Sequence, residues 1–254
     1  MRILVCIKRV GLLAEDVEFT NDGSDVDPDY LDYALNEWDS CAVEEGLRIR
    51  EAVGGEVLAV TVGGADAERE LRRCLAMGAD RAVRITIDSA PGPPDPITVA
   101  SAMAETVSAE SPDLVLCGVQ SSDSVQGATG GALAGFLGLP CVAVARRIEY
   151  DAANRSALIH RELEGGLVDV TETSTPAVLA VQTGINQPRY VTLRAIQEAG
   201  DKDIEVRGAR AGVPAAYRVK RMFVPTARRA EMIGADPGAI ARRILEIAQE
   251  SGVR

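Results

Sequence analysis

The sequence has a single histidine, His160, and only 4% aromatic residues. One histidine excludes a histidine-rich metal site, and a Ser-His-Asp triad would have to use that residue. Because His160 lies in a predicted strand, we expect it to be structural. No apolar run approaches the ~18 residues that span a bilayer, and the first residues regain charge too soon for a signal peptide. We therefore predict no metal site and no membrane insertion.

The chain also lacks any Cys-x-x-Cys pair. Its cysteines are odd in number and scattered, and each lies in a largely apolar segment: Cys6, Cys41, Cys74, Cys117 and Cys141. This pattern is typical of small core residues and not of a disulfide framework. It predicts a reducing compartment, either the cytoplasm or an organelle matrix, and we take the cytoplasm as the expected location.

Positive charge is scarce outside the end of the chain. The net charge is −11, yet residues 206–254 carry ten Arg and Lys against four Asp and Glu. The acidic remainder argues against nucleic-acid binding. The basic end suggests a segment that lies against an acidic surface, its own or a partner's, although a solvated surface is the alternative.

Strand and helix signals alternate through the first half of the chain. Apolar runs predict strands over residues 3–7, 56–62, 81–87 and 113–117. Helical periodicity predicts helices over residues 40–52, 67–77, 97–109 and 128–137, with residues 89–96 as a Pro-rich loop. Asn36 or Asp39 is expected to cap the first helix. This alternation predicts an α/β fold with a doubly wound, mostly parallel, Rossmann-like sheet.

The pattern changes after residue 140. Strands are predicted over residues 142–150, 157–163, 167–172 and 177–183, with a hairpin turn at Gly165-Gly166, so we expect an antiparallel extension. After residue 200 the periodicity is lost until a helix over residues 237–250, and residues 207–229 are expected to be irregular. We therefore predict a nucleotide-binding domain over residues 1–200 and a C-terminal arm over residues 201–254.

Three predicted loops follow strand ends, after Ile7, Val62 and Cys117, where an open parallel sheet binds its ligands. The last is rich in glycine, hydroxyl and amide side chains, and with the next helix start it can bind a phosphate. A polar helix-capping loop is the alternative. In this loop Asp123 either accepts from a ribose hydroxyl or caps the loop. Trp38, the only tryptophan, either offers an aromatic face to a ligand or is an ordinary anchor in the core.

The usual dinucleotide and P-loop fingerprints are missing, so any nucleotide is held by a less common arrangement. The loops contain no paired acid and base groups, which predicts a ligand that is held and not converted. We expect no catalytic residues.

Five segments in order carry a family resemblance. They are residues 3–10, residues 36–45, residues 76–81, residues 161–166 together with residues 175–178, and residues 186–193. They resemble the beta subunit of electron-transfer flavoprotein, the FixA-like family, over nearly the whole chain to about residue 200. The resemblance implies an adenine-nucleotide alpha-hydrolase-like fold.

The resemblance also implies a heterodimer whose alpha subunit carries the redox FAD, while this subunit holds AMP or a second FAD. The residues that the resemblance assigns to this nucleotide are Cys6, Asn36, Glu37, Trp38, Asp39, Val62, Gly118, Val119, Gln120, Ser121, Ser122, Asp123, Ser124, Val125, Gln126, Gly127, Ala128 and Thr129. It makes Leu193, with Arg189 and Tyr190, the expected anchor for a dehydrogenase, and it assigns Glu162 to positioning of the flavin domain. A leucine packed on its own domain is the alternative for Leu193.

Several positions depart from the family pattern. Residues 11–13 are Gly-Leu-Leu where Pro-Asp is common, and residues 124–126 replace an acidic run. Val119 stands where the family has Lys or Arg, so one phosphate counter-charge is missing. Asp39 resembles the electron-bifurcating members, since AMP-type members often have Cys there. The loop fits neither subtype cleanly.

We therefore expect a subunit that helps pass electrons from an acyl-CoA or similar dehydrogenase to a quinone-linked or other acceptor, such as a quinone oxidoreductase. One alternative is a stand-alone nucleotide-binding stress or signalling protein of the same fold superfamily. An ATP-pyrophosphatase-like enzyme is a further alternative, but residues 8–11 lack its Ser-Gly-Gly-x-Asp loop.

Overall fold

A computed structural model describes residues 1–13, 17–87, 94–209, 219–225 and 236–252. The strands are β1 Arg2–Cys6, β2 Arg9–Leu13, β3 Leu31–Leu35, β4 Glu56–Val62, β5 Arg81–Ile87, β6 Leu114–Gly118, β7 Cys141–Asp151, β8 Ser156–Glu162, β9 Val168–Ser174, β10 Ala177–Val181 and β11 Glu205–Ala209. The helices are α1 Glu37–Val53, α2 Glu68–Met77, α3 Pro96–Glu110, α4 Thr129–Leu137, α5 Leu193–Gly200 and α6 Pro237–Glu250.

Nine strands form one sheet in the order β11-β5-β4-β1-β6-β10-β7-β8-β9. Every pairing from β11 to β7 is parallel, and only β7 with β8 and β8 with β9 are antiparallel. The short strands β2 and β3 form a separate antiparallel pair. The predicted doubly wound, mostly parallel α/β sheet with an antiparallel extension is confirmed.

Both faces of the parallel region are covered, which explains the continuous apolar runs in its strands. One buried cluster joins the sheet to α1, α2 and α5, with Leu47 and Leu71 fully buried. The other cluster joins the opposite face to α3 and α4, through Met103 and Leu133. None of the helices in the described ranges is long and apolar enough to cross a membrane.

The direction of winding reverses between β1 and β6. From β1 the chain proceeds to β4 and β5 on one side, and then returns to β6 on the other side. The carboxyl ends of β1 and β6 are therefore adjacent at the switch in strand order, where open α/β sheets bind ligands. This topology brings together the segments after Ile7 and after Cys117.

Two expectations about the strands are wrong. The predicted strand over residues 177–183 is β10, and it does not belong to the antiparallel extension, because it lies between β6 and β7 and is parallel to both. The periodicity is also not lost at residue 200, since β11 pairs with β5 at the far edge of the sheet. The β2–β3 pair and α5 were not predicted.

The end of the chain belongs to a second, smaller unit. By contacts the chain divides into residues Met1–Met222 and Phe223–Arg254. In the second unit, α6 has Asp236 as its N-cap, and this carboxylate accepts from the Ala239 N–H. Most of the predicted irregular stretch over residues 207–229 and most of the predicted loop over residues 89–96 lie outside the described residues. The domain boundary at residue 200 stays a prediction.

The cysteine prediction holds for four of five residues. Cys6, Cys41, Cys74 and Cys117 are buried, and all five thiols are free. Cys141 is exposed at the start of β7, so the expectation that it is a core residue is wrong. Val142 and Ala145 in the same strand are buried, whereas Cys141 occupies its first, exposed position.

A network of ion pairs surrounds Glu110 at the end of α3. The Glu110 carboxylate, 8% exposed, pairs with Arg81 at 3.0 Å and with Arg207 at 2.5 Å. Arg2 lies 4.0 Å from the same carboxylate. These arginines lie on β5, β11 and β1, so one carboxylate joins α3 to three strands. Hydrogen bonds from Arg81 hold the pKa of Glu110 below its ordinary value, although burial opposes them.

We expect Glu110→Ala to lower the free energy of unfolding by about 1–2 kcal/mol, because the charged hydrogen bonds to Arg81 and Arg207 are lost while both arginines keep Glu205 as a partner. The loss is largest near neutral pH. Since the folded pKa is lowered, the contribution of Glu110 is present above its unfolded pKa, about 4.3, and is lost as pH falls from there through the folded pKa. Urea unfolding at several pH values measures this. Glu105→Ala, an exposed glutamate on the same helix, is the control and is expected to have little effect.

Candidate functional site

Asp39, in the first turn of α1, joins the two strand ends at the switch point. Its Oδ2 accepts a hydrogen bond from the Lys8 backbone N–H, and its Oδ1 accepts one from the Gly118 backbone N–H, each at 2.8 Å. The side chain is buried, and burial raises its pKa to about 7 despite these two donors. Asp39 therefore fixes the chain after β1 against the chain after β6.

Asn36 occupies the N-cap position of α1, as predicted, but its side chain makes no cap hydrogen bond. Instead, its amide nitrogen donates to the Gln120 carbonyl at 2.8 Å, and its amide oxygen accepts from the Ser122 N–H at 3.4 Å. Of the two predicted alternatives, Asn36 is the N-cap, since Asp39 lies inside α1. Asn36 and Asp39 thus both hold the segment after β6.

The segment over residues 118–129, here called the β6–α4 segment, presents backbone donors at the start of α4. Val125 and Gly127 have positive φ angles of 52° and 59°. Ala128 is the N-cap of α4 and offers no side-chain cap. An uncapped helix start leaves its first N–H groups without intrahelical acceptors, and such a helix start can bind an anion such as a phosphate.

Lys8 brings a positive charge to this segment. Its Nζ donates to Asp123 Oδ1 at 2.6 Å, to Ser121 Oγ at 3.1 Å and to Ser124 Oγ at 3.4 Å. Burial raises the pKa of Asp123, but the hydrogen bond and charge of Lys8 outweigh it, and the net shift is downwards. Lys8 is not among the site residues predicted from the sequence. Its position immediately after an apolar strand, on the ligand-binding edge, is the signal that points to it.

Two glycines permit the close approach of chain segments here. A Cβ at Gly118 would lie 2.5 Å from Asp39 Oδ1 and 2.5 Å from Trp38 Cβ. A Cβ at Gly130 would lie 2.7 Å from Cys117 Sγ. Both positions therefore require glycine for steric reasons, and not because of their backbone angles.

The remaining predicted nucleotide residues surround the same edge. Trp38 is half-buried, and its Nε1 donates to Gln182 Oε1 at 3.1 Å, so Trp38 is neither fully in the core nor free. Val62 is half-buried and Glu37 is exposed. Cys6 is buried beneath the site, and burial, with the charge of Asp39, raises its pKa to about 12.

A second polar segment, over residues 186–193, is fixed to the same helix α1. The Asn186 amide donates to the Cys41 carbonyl at 3.0 Å and to Glu45 Oε2 at 2.9 Å. The Arg189 guanidinium donates to Glu44 at 2.8 Å and to Glu51 at 2.8 Å. Arg189 is thus engaged within its own chain, where it holds the segment in place.

Tyr190 and Leu193 project from this anchored segment. They are 88% and 78% exposed, and Leu193 is the first residue of α5, where Thr192 accepts from the Ala195 N–H. Elsewhere, the predicted positioning residue Glu162 lies at the end of β8 and pairs with Arg146. In the sheet order, β6, β10 and β7 lie between β1 and β8, so Glu162 is three strands away from the switch point between β1 and β6.

The comparisons with known proteins point to one family. Residues 26–211 match the electron transfer flavoprotein domain family. The chain is 42% identical to the electron transfer flavoprotein subunit beta of Methylophilus methylotrophus, with 98% of each chain covered. It is 32% identical over the full length of both chains to the protein of the same name from Bradyrhizobium diazoefficiens, and 35% identical to that of Homo sapiens, over 81% of this chain and 80% of the human one.

The chain belongs to the electron transfer flavoprotein family, as a beta subunit. The resemblance found in the sequence is confirmed. Beta subunits of this family are electron-transfer subunits of a flavin-containing complex. Among the described residues, no group of three or more His, Cys, Asp or Glu side chains has the arrangement of a metal site.

We expect Gly118→Ala to lower the free energy of unfolding by about 1–3 kcal/mol, because the new Cβ overlaps Asp39 and Trp38. Gly135→Ala is the matched control. Gly135 lies in the exposed part of α4, and a Cβ added there has no atom within 4 Å, so alanine is expected to be neutral or stabilising by about 1 kcal/mol. Chemical denaturation of both variants measures the difference. Equal effects would contradict the close packing assigned to Gly118.

Proposed function

We propose that this beta subunit binds an adenine nucleotide at the carboxyl edge of β1 and β6, and pairs with an alpha subunit that carries FAD. The observation that supports it most strongly is the double hydrogen bond of Asp39, which joins the two strand ends beneath an uncapped helix start. The chain spans nearly the whole length of its relative in Methylophilus methylotrophus, a named beta subunit.

The residues around this edge fit a nucleotide monophosphate or the pyrophosphate of FAD. Backbone donors of the β6–α4 segment and the Lys8 ammonium would hold phosphate oxygens, while Trp38 would offer an apolar surface. A bound flavin supplies one- and two-electron redox chemistry, whereas AMP supplies only structure. The role of this chain is to bind, orient and shield the nucleotide, and we assign no proton transfer to its residues.

The 186–193 segment is proposed to dock a dehydrogenase through Leu193 and Tyr190. Two features support this role: both side chains are almost fully exposed, and Asn186 and Arg189 fix the segment to α1. An exposed apolar residue on a rigid support loses little conformational freedom when it enters a partner's pocket. We assign Arg189 to holding this surface and not to direct contact.

The arm and its helix are proposed to dock on the alpha subunit. In α6, the apolar side chains Ile244, Leu245 and Ile247 are exposed, as expected of a helix whose apolar stripe awaits a partner. Glu162, held by Arg146, is proposed to position the flavin domain. Electrons would pass from a dehydrogenase to a quinone-linked or other acceptor, such as a quinone oxidoreductase, and the free cysteines support a reducing location such as the cytoplasm.

The nucleotide proposal is tested by co-expression with the alpha subunit, denaturation of the purified complex and chromatography of the released nucleotides. We expect one FAD in the alpha subunit together with either one AMP or a second FAD in this one. One FAD and one AMP indicate a simple carrier, and two FAD indicate electron bifurcation. A homodimer without flavin would overturn the proposal in favour of a stand-alone nucleotide-binding protein.

For the docking surface, we expect Leu193→Ala to slow electron transfer from a partner dehydrogenase roughly tenfold at low partner concentration, because an anchor of this kind contributes about 1–2 kcal/mol. Stopped-flow kinetics measure the rate, and cofactor content is expected to be unchanged. Leu13→Ala, a truncation of a leucine that is 64% exposed on β2, is the matched control and should transfer at the wild-type rate. Unaltered kinetics in the Leu193 variant would remove this residue from the interface.

A further inference from the structure

We propose that Lys8 supplies the positive charge that binds the nucleotide's phosphate, and that the phosphate replaces Asp123 as the partner of the Lys8 ammonium. This inference rests on the proposed function and extends it. On this proposal Lys8, which lies outside the β6–α4 segment, determines the site's preference for phosphorylated over unphosphorylated adenosine.

The β6–α4 segment has no cation of its own. Asp123 is the only charged residue between positions 118 and 129, and position 119 is valine. A helix start carries a partial charge of about +0.5, which is less than the charge of a phosphate monoester. In the ranges that the structure describes, Lys8 is the one cation with a hydrogen bond to this segment.

The position of Lys8 is fixed by its backbone. Its N–H donates to Asp39, and Asp39 also holds Gly118, so the Lys8 side chain starts from a rigid point beside the segment. The ammonium reaches both a carboxylate and a serine hydroxyl, at 2.6 Å from Asp123 and 3.1 Å from Ser121. A phosphate at this place would find the charge and the hydroxyl donors already assembled.

The ion pair between Lys8 and Asp123 can be replaced by one between Lys8 and a phosphate. The Lys8 side chain is 45% exposed, and an ion pair at such a surface contributes about 0–1 kcal/mol to stability. A phosphate offers more negative charge and more acceptor oxygens than one carboxylate. Asp123 then becomes a like charge next to the ligand, so it opposes phosphate binding while Lys8 favours it.

The test measures equilibrium binding of AMP and of adenosine to the nucleotide-depleted heterodimer, for wild type, Lys8→Met, Lys8→Arg and Asp123→Asn. We expect Lys8→Met to raise the Kd for AMP about tenfold, as for a lost charge-assisted hydrogen bond, and to change the Kd for adenosine by less than about twofold. Lys8→Arg is expected to restore most AMP binding. Asp123→Asn is expected to tighten AMP binding several-fold relative to adenosine.

If the site holds FAD, the same comparison uses FAD and riboflavin as probes. Lys8→Met keeps the backbone N–H that Asp39 accepts, and its thermal unfolding midpoint checks that it folds. If it does not fold, Asp123→Asn decides: weaker or unchanged AMP binding relative to adenosine overturns the proposal.

The role of Lys8 and the proposed function are overturned by different results. A wild-type complex that binds AMP, with an unchanged AMP-to-adenosine ratio in Lys8→Met, overturns the role of Lys8 and leaves the proposed function standing. A wild-type heterodimer that carries no adenine nucleotide and binds none of the probes overturns both.

Discussion

The carboxyl edge of β1 and β6 depends on one buried carboxylate that accepts two backbone hydrogen bonds from different strand ends. Without Asp39, the N–H groups of Lys8 and Gly118 would be left without their acceptor, at a cost of about 1–3 kcal/mol each. The close contact that Gly118 permits follows from the same arrangement. The carboxylate thus fixes the distance between β1 and β6 just beyond the sheet, where strand pairing no longer does so.

Helix α1 links the two surfaces to which function is assigned. Its first turn holds the β6–α4 segment through Asn36 and Asp39, and its middle and end hold the 186–193 segment through three glutamates, Glu44, Glu45 and Glu51. Because a 17-residue helix packed on a sheet is stiff, the carboxyl edge of β1 and β6 and the exposed Leu193 keep a fixed spacing. Such a fixed spacing is useful in electron transfer, which requires redox groups to be placed close together.

Local patterns in the sequence were sufficient for β1, β4, β5 and β6 and for α1 to α4, because continuous apolar runs and helical periods mark them directly. These local patterns do not determine the order of the strands in the sheet. The apolar run of β10 is equally consistent with an antiparallel neighbour, and β11 has too few apolar residues to be recognised before its pairing with β5 is known. At the site, residue types after strand ends indicated a nucleotide. The role of Lys8 depends on a contact across more than a hundred residues, which only the fold reveals.

The place of β10 between β6 and β7 has a consequence for synthesis on the ribosome. When β6 has left the exit tunnel, its open edge has no neighbour until residues 177–181 follow, because β7, β8 and β9 are made first and attach to the sheet only through β10. An apolar strand with an unpaired edge invites association with other chains. Until β10 follows, the nascent sheet consists of β5, β4, β1 and β6 alone, with one open edge at β6 and another at β5, whose neighbour β11 is made later still.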